Sequence, residues 1–166
     1  DIGIRGSEGI LIESNTRLFG SYNLDNLLMA VAIAHASGID PIELASIIPG
    51  LTGAPGRLEP VSIGQDFTAL VDYAHSPDAV ANVLAAAREF TPGKIITVLG
   101  CGGDRDKGKR PLMGSALVQG SDIAIFTSDN PRSENPVDIL ADMTEGVALD
   151  ESSLVIVDRD EAIRKA

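Results

Sequence analysis

The chain has 166 residues, 44% of them apolar, with 13 Lys and Arg against 24 Asp and Glu, for a formal net charge of −11. That length fits one large domain, or one domain with part of another, and the core must be aliphatic, because Trp is absent and aromatics make up only 4%. The acidic balance argues against a nucleic-acid surface, which needs a broad basic face, and against an anionic membrane. A single cysteine excludes an intrachain disulfide and fits a reducing cytoplasm. No apolar run approaches the ~20 residues that span a bilayer, and there is no basic-then-apolar leader at the start. The chain opens at Asp1 and closes on Arg164-Lys165-Ala166 inside a helical pattern, so it is expected to be a piece of something longer.

Residues 9–13 alternate enough for a strand. From Asn23 to Ala36 apolar residues recur at helical spacing, and Gly38 supplies a stop. Pro41 to Ile48 predicts a short helix with Asp40 as cap and Pro41 at its first position. The run Pro49 to Gly56, dense in Pro and Gly, is the best linker candidate. Beyond it the rhythm is regular: strands at 58–63 and 67–72, a helix at 77–89 opened by Ser76 and Pro77, a strand at 94–99, and a helix at about 110–119. A strand at 122–127, a helix at 136–147, a strand at 153–157 and a helix from 159 complete the series. Strands alternating with helices imply right-handed crossovers and a Rossmann-like, doubly wound, mostly parallel α/β sheet. Ligands in such sheets sit beyond the carboxyl ends of the strands.

Three polar clusters fall at those ends. Gly100-Cys101-Gly102-Gly103-Asp104-Arg105-Asp106-Lys107-Gly108-Lys109-Arg110 carries two more cations than carboxylates inside a very acidic chain. Its glycines allow close backbone approach to a ligand, with amides able to donate, so the loop suggests an anion site. It is neither a dinucleotide fingerprint, since Arg105 occupies the third glycine position, nor a Walker A loop, since Arg110 replaces the hydroxyl residue after Lys109. Asp129-Asn130-Pro131-Arg132 reads equally well as a plain β-turn or as a turn presenting Arg132 to a carboxylate, with Arg105 sharing the ligand. Asp72-Tyr73-Ala74-His75 can bind a ribose hydroxyl or a metal, or His75 can simply cap the next helix.

Other candidates stand apart. Arg57, just past the linker, forms either a surface salt bridge or a phosphate contact. Asn23 and Asn26, one helical turn apart, either cap their helix or read a base or phosphate. His35, amid Ala and Ile, is expected to be packed within its helix, and Cys101 to be a small buried filler. No Ser-His-Asp pattern and no Cys/His metal spacing occurs.

Taken together, Asn23-x-x-Asn26, Gly53-x-Pro55-Gly56-Arg57-Leu58-Glu59, Val71 to Ala79, Gly100 to Gly114 and Thr127-x-Asp129-Asn130-Pro131-Arg132 resemble the Mur ligases of peptidoglycan synthesis. The resemblance runs from about Phe19 to the C-terminus, and is strongest to the branch adding the third residue of the stem peptide. It implies that residues 1–54 are the tail of a central ATPase domain and 55–166 most of a C-terminal Rossmann-like domain. It also implies an ATP-dependent amide ligase requiring Mg²⁺, cytoplasmic and monomeric, acting through an acyl phosphate. Its substrates would be a UDP-MurNAc-dipeptide and meso-diaminopimelate, and neither nucleic acid nor membrane is an expected partner.

By the same resemblance Asn23, Asn26, Arg57, Asp72, Tyr73 and His75 face the nucleotide. Arg105, Asp129, Asn130 and Arg132 hold the incoming amino acid, Arg132 selecting diaminopimelate over lysine by pairing with the second carboxylate. Tyr22 departs mildly from the family's Phe. The segment carries no Walker A motif, no lysine placed for carbamylation and no catalytic residue of its own, so alone it is expected to be inactive. The rivals are a stand-alone nucleotide-binding module, a folylpolyglutamate synthetase or lysine-adding relative, and, least of all, a dehydrogenase.

Overall fold

The computed structural model describes residues 1–6 and 9–166. It falls into two compact units, Asp1–Tyr73 and Ala74–Ala166.

In the first unit β1 (Ile2–Gly6) pairs antiparallel with β2 (Gly9–Ser14), with a register shift between Ile4 and Arg5. The sequence pattern anticipates β2 but not β1. Helices α1 (Ser21–Ala36) and α2 (Pro41–Ile47) follow, and a 3₁₀ turn covers Ile48–Gly50. Asp40 caps α2 by accepting from the Ile42 amide at 2.8 Å, as its position before Pro41 predicts. Ser14 Oγ donates to the Ala45 carbonyl at 2.8 Å and ties β2 to α2. Ile12, Leu27, Val31, Leu44 and Ile48 form this unit's core. Helix α1 starts at Ser21, so Asn23 and Asn26 lie within it and neither is its cap. His35 is exposed rather than packed, although it lies one turn beyond Val31 on the same side of α1.

The expected strand pair after the linker is an antiparallel hairpin, β3 (Glu59–Val61) with β4 (Ala69–Val71). Both strands are shorter than predicted. Leu58 cannot join β3, because its φ is 43°, a left-handed backbone that no strand contains.

The second unit holds the parallel sheet, in the order β5 (Ile96–Leu99), β6 (Ile123–Phe126), β7 (Ser153–Val155). Helix α3 (Pro77–Phe90) precedes β5, α4 (Arg110–Gly120) links β5 to β6, α5 (Pro136–Thr144) links β6 to β7, and α6 (Arg159–Lys165) closes the series. Ser76 accepts from the Ala79 amide at 3.3 Å and opens α3 as predicted. Helix α5 stops at Thr144 rather than 147, since Glu145 is extended and Gly146 has φ 69°. Ala124 and Phe126 project from β6 into a core shared with Val80 and Leu84 of α3, Met113 and Leu117 of α4, and Ile139, Leu140 and Met143 of α5. Ile125, between them, is also fully buried, as expected of a central strand in a parallel sheet covered on both faces.

Candidate functional site

The second unit places its site where two parallel strands end together. Leu99 of β5 lies opposite Phe126 of β6, so the 100–110 loop and the 127–135 turn leave the sheet side by side. The Gly103 amide donates to the Asn130 carbonyl at 2.8 Å, and Arg132 Nη1 donates to the Gly103 carbonyl at 2.7 Å. Ser133 Oγ donates to Asp104 Oδ1 at 2.6 Å and its amide to Oδ2 at 3.3 Å. These two hydrogen bonds hold the Asp104 carboxyl below its usual range. Asn130 Oδ1 accepts from the Arg132 amide at 3.3 Å, across the turn.

The loop and the turn are thus one structure, bringing Asn130 and Arg132 against the segment that carries Arg105. Arg105, Asp129, Asn130 and Arg132 are all exposed on it. Asp129 lies 4.0 Å from Arg159 Nη1.

The loop packs closely against the turn: a Cβ on Gly103 would run into the backbone of Pro131, and one on Gly102 would meet Arg132 Nη1 at 2.8 Å. Its positive charge is also largely internal. Arg110, 1% exposed, grips Glu134 with both Nη atoms, at 2.9 and 2.7 Å, and Asp142 with Nη1 at 2.7 Å. Lys107 Nζ lies 3.1 Å from Glu134, and Lys109 Nζ 4.0 Å from Asp106. Among the described residues Arg105 alone of the four loop cations forms no ion pair.

Glu134 is consequently held far down, from the ordinary 4.5 to about 2. Hydrogen bonds from Arg110 are the main cause, followed by the Asp104 amide. Arg110, Glu134 and Asp142 are functional candidates the sequence did not reveal. Arg110 looked like one more surface charge in a basic run, and its partners lie 24 and 32 residues away. As expected, Cys101 is buried, its Sγ 3.6 Å from Met113 Sδ. Burial pushes its thiol up to about 11.

The first unit gathers a second set. Asp72 Oδ2 accepts from the Leu58 amide at 2.9 Å and from Tyr22 Oη at 3.3 Å. Burial and the nearby Asp72 carboxylate push the Tyr22 phenol up to about 12. The tyrosine is therefore not a silent stand-in for phenylalanine: its hydroxyl engages the carboxylate expected to face ribose.

Asn23 is buried, and its Nδ2 donates to the Phe19 carbonyl at 2.7 Å and the Arg57 carbonyl at 3.5 Å. Asn23, Arg57 and Asp72 thus meet around the turn that carries Leu58 in its left-handed conformation. The Arg57 side chain is exposed, and so is Asn26, one helical turn beyond Asn23. The Tyr73 amide donates to the Gly56 carbonyl at 2.8 Å, while its ring is 69% exposed. His75 belongs to the second unit and is exposed directly before the Ser76 cap. The cap is Ser76 itself, so His75 does not serve that role.

A parallel sheet with crossover helices, and polar loops tied together beyond its carboxyl edge, define a Rossmann-like domain. Residues 56–166 match the model of the Mur ligase family described as "Mur ligase, glutamate ligase domain", and the chain belongs to that family. The UDP-N-acetylmuramoyl-L-alanyl-D-glutamate–2,6-diaminopimelate ligase of Synechocystis sp. is 49% identical over 151 residues, covering 90% of this chain and 30% of its own length. The enzyme of the same name from Geobacillus thermodenitrificans is 49% identical over 152 residues, covering 91% of this chain and 31% of its own.

A solved structure of a UDP-N-acetylmuramoyl-L-alanyl-D-glutamate–2,6-diaminopimelate ligase superimposes with a TM-score of 0.70 at 40% identity, covering 96% of this chain and 33% of that one. The folylpolyglutamate synthase of Mycobacterium tuberculosis complexed with ADP, at 22% identity and a TM-score of 0.68, shares the fold. The chain therefore spans about a third of the length of these relatives.

Proposed function

We propose that this chain is part of an ATP-dependent amide ligase that adds meso-diaminopimelate to UDP-MurNAc-L-Ala-D-Glu in the cytoplasm. The observation that carries the reading is the Asp129-Asn130-Pro131-Arg132 turn, held against the loop that bears Arg105, in a chain 49% identical to relatives named for that reaction. Residues 1–54 would complete the central ATP-binding domain and 55–166 form the amino-acid-binding domain. A family match beginning at residue 56 supports that boundary.

In this reading ATP phosphorylates the acceptor's carboxylate. The amine of diaminopimelate then attacks the acyl carbon, and phosphate leaves. Arg105, Asp129, Asn130 and Arg132 hold the amino acid so that its amine is the group presented. Arg132 has a planar fork suited to a carboxylate, and against lysine it would face no partner. Asn23, Asn26, Arg57, Asp72, Tyr73 and His75 serve the nucleotide side.

Mg²⁺ would neutralise charge on the transferred phosphoryl group. Among the described residues no three His, Cys, Asp or Glu side chains are grouped to hold a metal ion. The enzyme is expected to act as a monomer, and the 166-residue chain alone to be inactive. No helix among the described residues is long and apolar enough to cross a membrane.

The test is phosphate release by the full-length ligase with the UDP-muramoyl dipeptide as acceptor, comparing diaminopimelate with lysine. Diaminopimelate is expected to be strongly preferred. Arg132→Ala should cut kcat/KM for diaminopimelate by 10²-fold or more, the order expected when a charged hydrogen-bonding partner is lost. Unchanged kinetics for that variant would sink the assignment.

A further inference from the structure

Glu134 joins the two site loops without belonging to either set of ligand residues. Its Oε1 accepts from the Asp104 amide at 2.6 Å and from Arg110 Nη2 at 2.7 Å. Its Oε2 accepts from Arg110 Nη1 at 2.9 Å and pairs with Lys107 at 3.1 Å. Arg110 in turn reaches the Gly102 carbonyl at 3.4 Å and Asp142 of α5 at 2.7 Å. Its Nε is buried with no hydrogen-bond partner, so the guanidinium is aimed through its two Nη atoms alone.

Sequence position makes this arrangement consequential. Asp104, whose amide Glu134 holds, immediately precedes Arg105. Glu134 lies two residues after Arg132. Asp104 and Arg132 both have left-handed backbones, φ 53° and 50°, which non-glycine residues adopt only where their surroundings hold them. The other ties between the loops are hydrogen bonds, exposed from Ser133 to Asp104, part-buried from Arg132 to the Gly103 carbonyl, and backbone to backbone from Gly103 to Asn130; among the described residues the ion pairs joining them are those of Glu134 with Lys107 and Arg110. The Arg110–Glu134 pair is the shielded one, with side chains 2% and 15% exposed.

Neutralising Glu134 leaves the buried Arg110 with Asp142 as its one remaining counter-charge, and the loops then lose their common anchor. We infer that the Arg110–Glu134 pair is the positioning element that sets the distance between Arg105 and Arg132, and through it the affinity for the incoming amino acid, without touching that substrate. The inference rests on the amino-acid-binding role proposed for these loops.

The experiment measures steady-state kinetics of the full-length ligase carrying Glu134→Gln, Arg110→Lys and both together, alongside wild type. Glu134→Gln keeps the side-chain shape and one acceptor oxygen but removes the charge. Its KM for diaminopimelate should rise tenfold or more, while KM for ATP and for the UDP-muramoyl dipeptide stays within twofold. The double variant should be no worse than the more damaging single one, because both remove the same anchor.

Should Glu134→Gln fail to fold, Ser133→Ala removes the exposed tie to Asp104, and a two- to fourfold rise confined to KM for diaminopimelate is expected. Rises shared equally by all three substrates, additive single effects, or no change in KM would each overturn the inference. A wild-type enzyme indifferent to diaminopimelate overturns the functional reading and the inference with it. A wild type that requires diaminopimelate, with variants unchanged, overturns the inference alone.

Discussion

Helices α1 and α3 are both rich in alanine and aliphatic residues, yet they distribute them differently. Helix α3 buries Val80, Leu84 and Ala86 and turns Asp78, Asn82, Arg88 and Glu89 outward or toward the rim. Helix α1 buries Leu27 and Val31, while Leu28, Met29 and Ile33 stand 48%, 63% and 65% exposed. The first packs one apolar stripe against the parallel sheet. The second carries large apolar residues on its exposed side as well as its buried one. The two units consequently differ in what fixes them: a continuous core under α3, α4 and α5 in one, and, among the described residues, a smaller buried cluster in the other.

Because both tyrosines, Tyr22 and Tyr73, lie in the first unit and the single cysteine in the second, each unit can be followed by its own probe. The largest effect is expected from Leu117→Ala. Leu117 is fully buried, and its truncation should cost about 2–5 kcal/mol. In urea titrations this should lower the midpoint for thiol exposure at Cys101 while the tyrosine emission transition stays in place. A common shift of both signals would mean the units unfold as one.

Acid provides the intermediate effect. The folded Glu134 carboxyl binds its proton less readily than the unfolded one, so its contribution is whole above about 4.5 and is lost as pH falls toward about 2. The second unit's urea midpoint should therefore drop between pH 5 and 3, and Glu134→Gln should flatten that drop. The smallest effect is expected from Leu28→Gln with Ile33→Gln on the exposed side of α1. Stability of the 166-residue chain should change by no more than ~0.5 kcal/mol per site, while binding of a hydrophobic dye falls. A loss comparable to that of Leu117→Ala would show that this side of α1 is packed after all.

What the sequence disclosed was local. Asp40 and Ser76 could be assigned as caps because a cap and its amide partner lie two or three residues apart. The α/β alternation and the Asp129–Arg132 turn were legible for the same reason. What it hid was long-range. Arg110 looks identical on paper to Lys107 and Lys109, yet it alone is buried, because α4 begins at that residue and turns it toward α5. The glycines at 102 and 103 announced a close approach but not to what. Strand β1 exists only through its pairing with β2, and whether His35 is packed depends on how far the neighbours of α1 extend along the helix.

Cys101 sits directly after β5, at the root of the loop that bears Arg105. With its thiol held at about 11 and its sulfur against Met113, it stays almost wholly un-ionised at neutral pH, and it is the thiolate that attacks a disulfide reagent. Modification must then wait for the second unit to open. The rate at which an aromatic disulfide such as Ellman's reagent releases its coloured thiolate becomes a clock for that opening. The molecule thus contains its own timer for the opening of the unit that carries the Gly100–Arg110 loop.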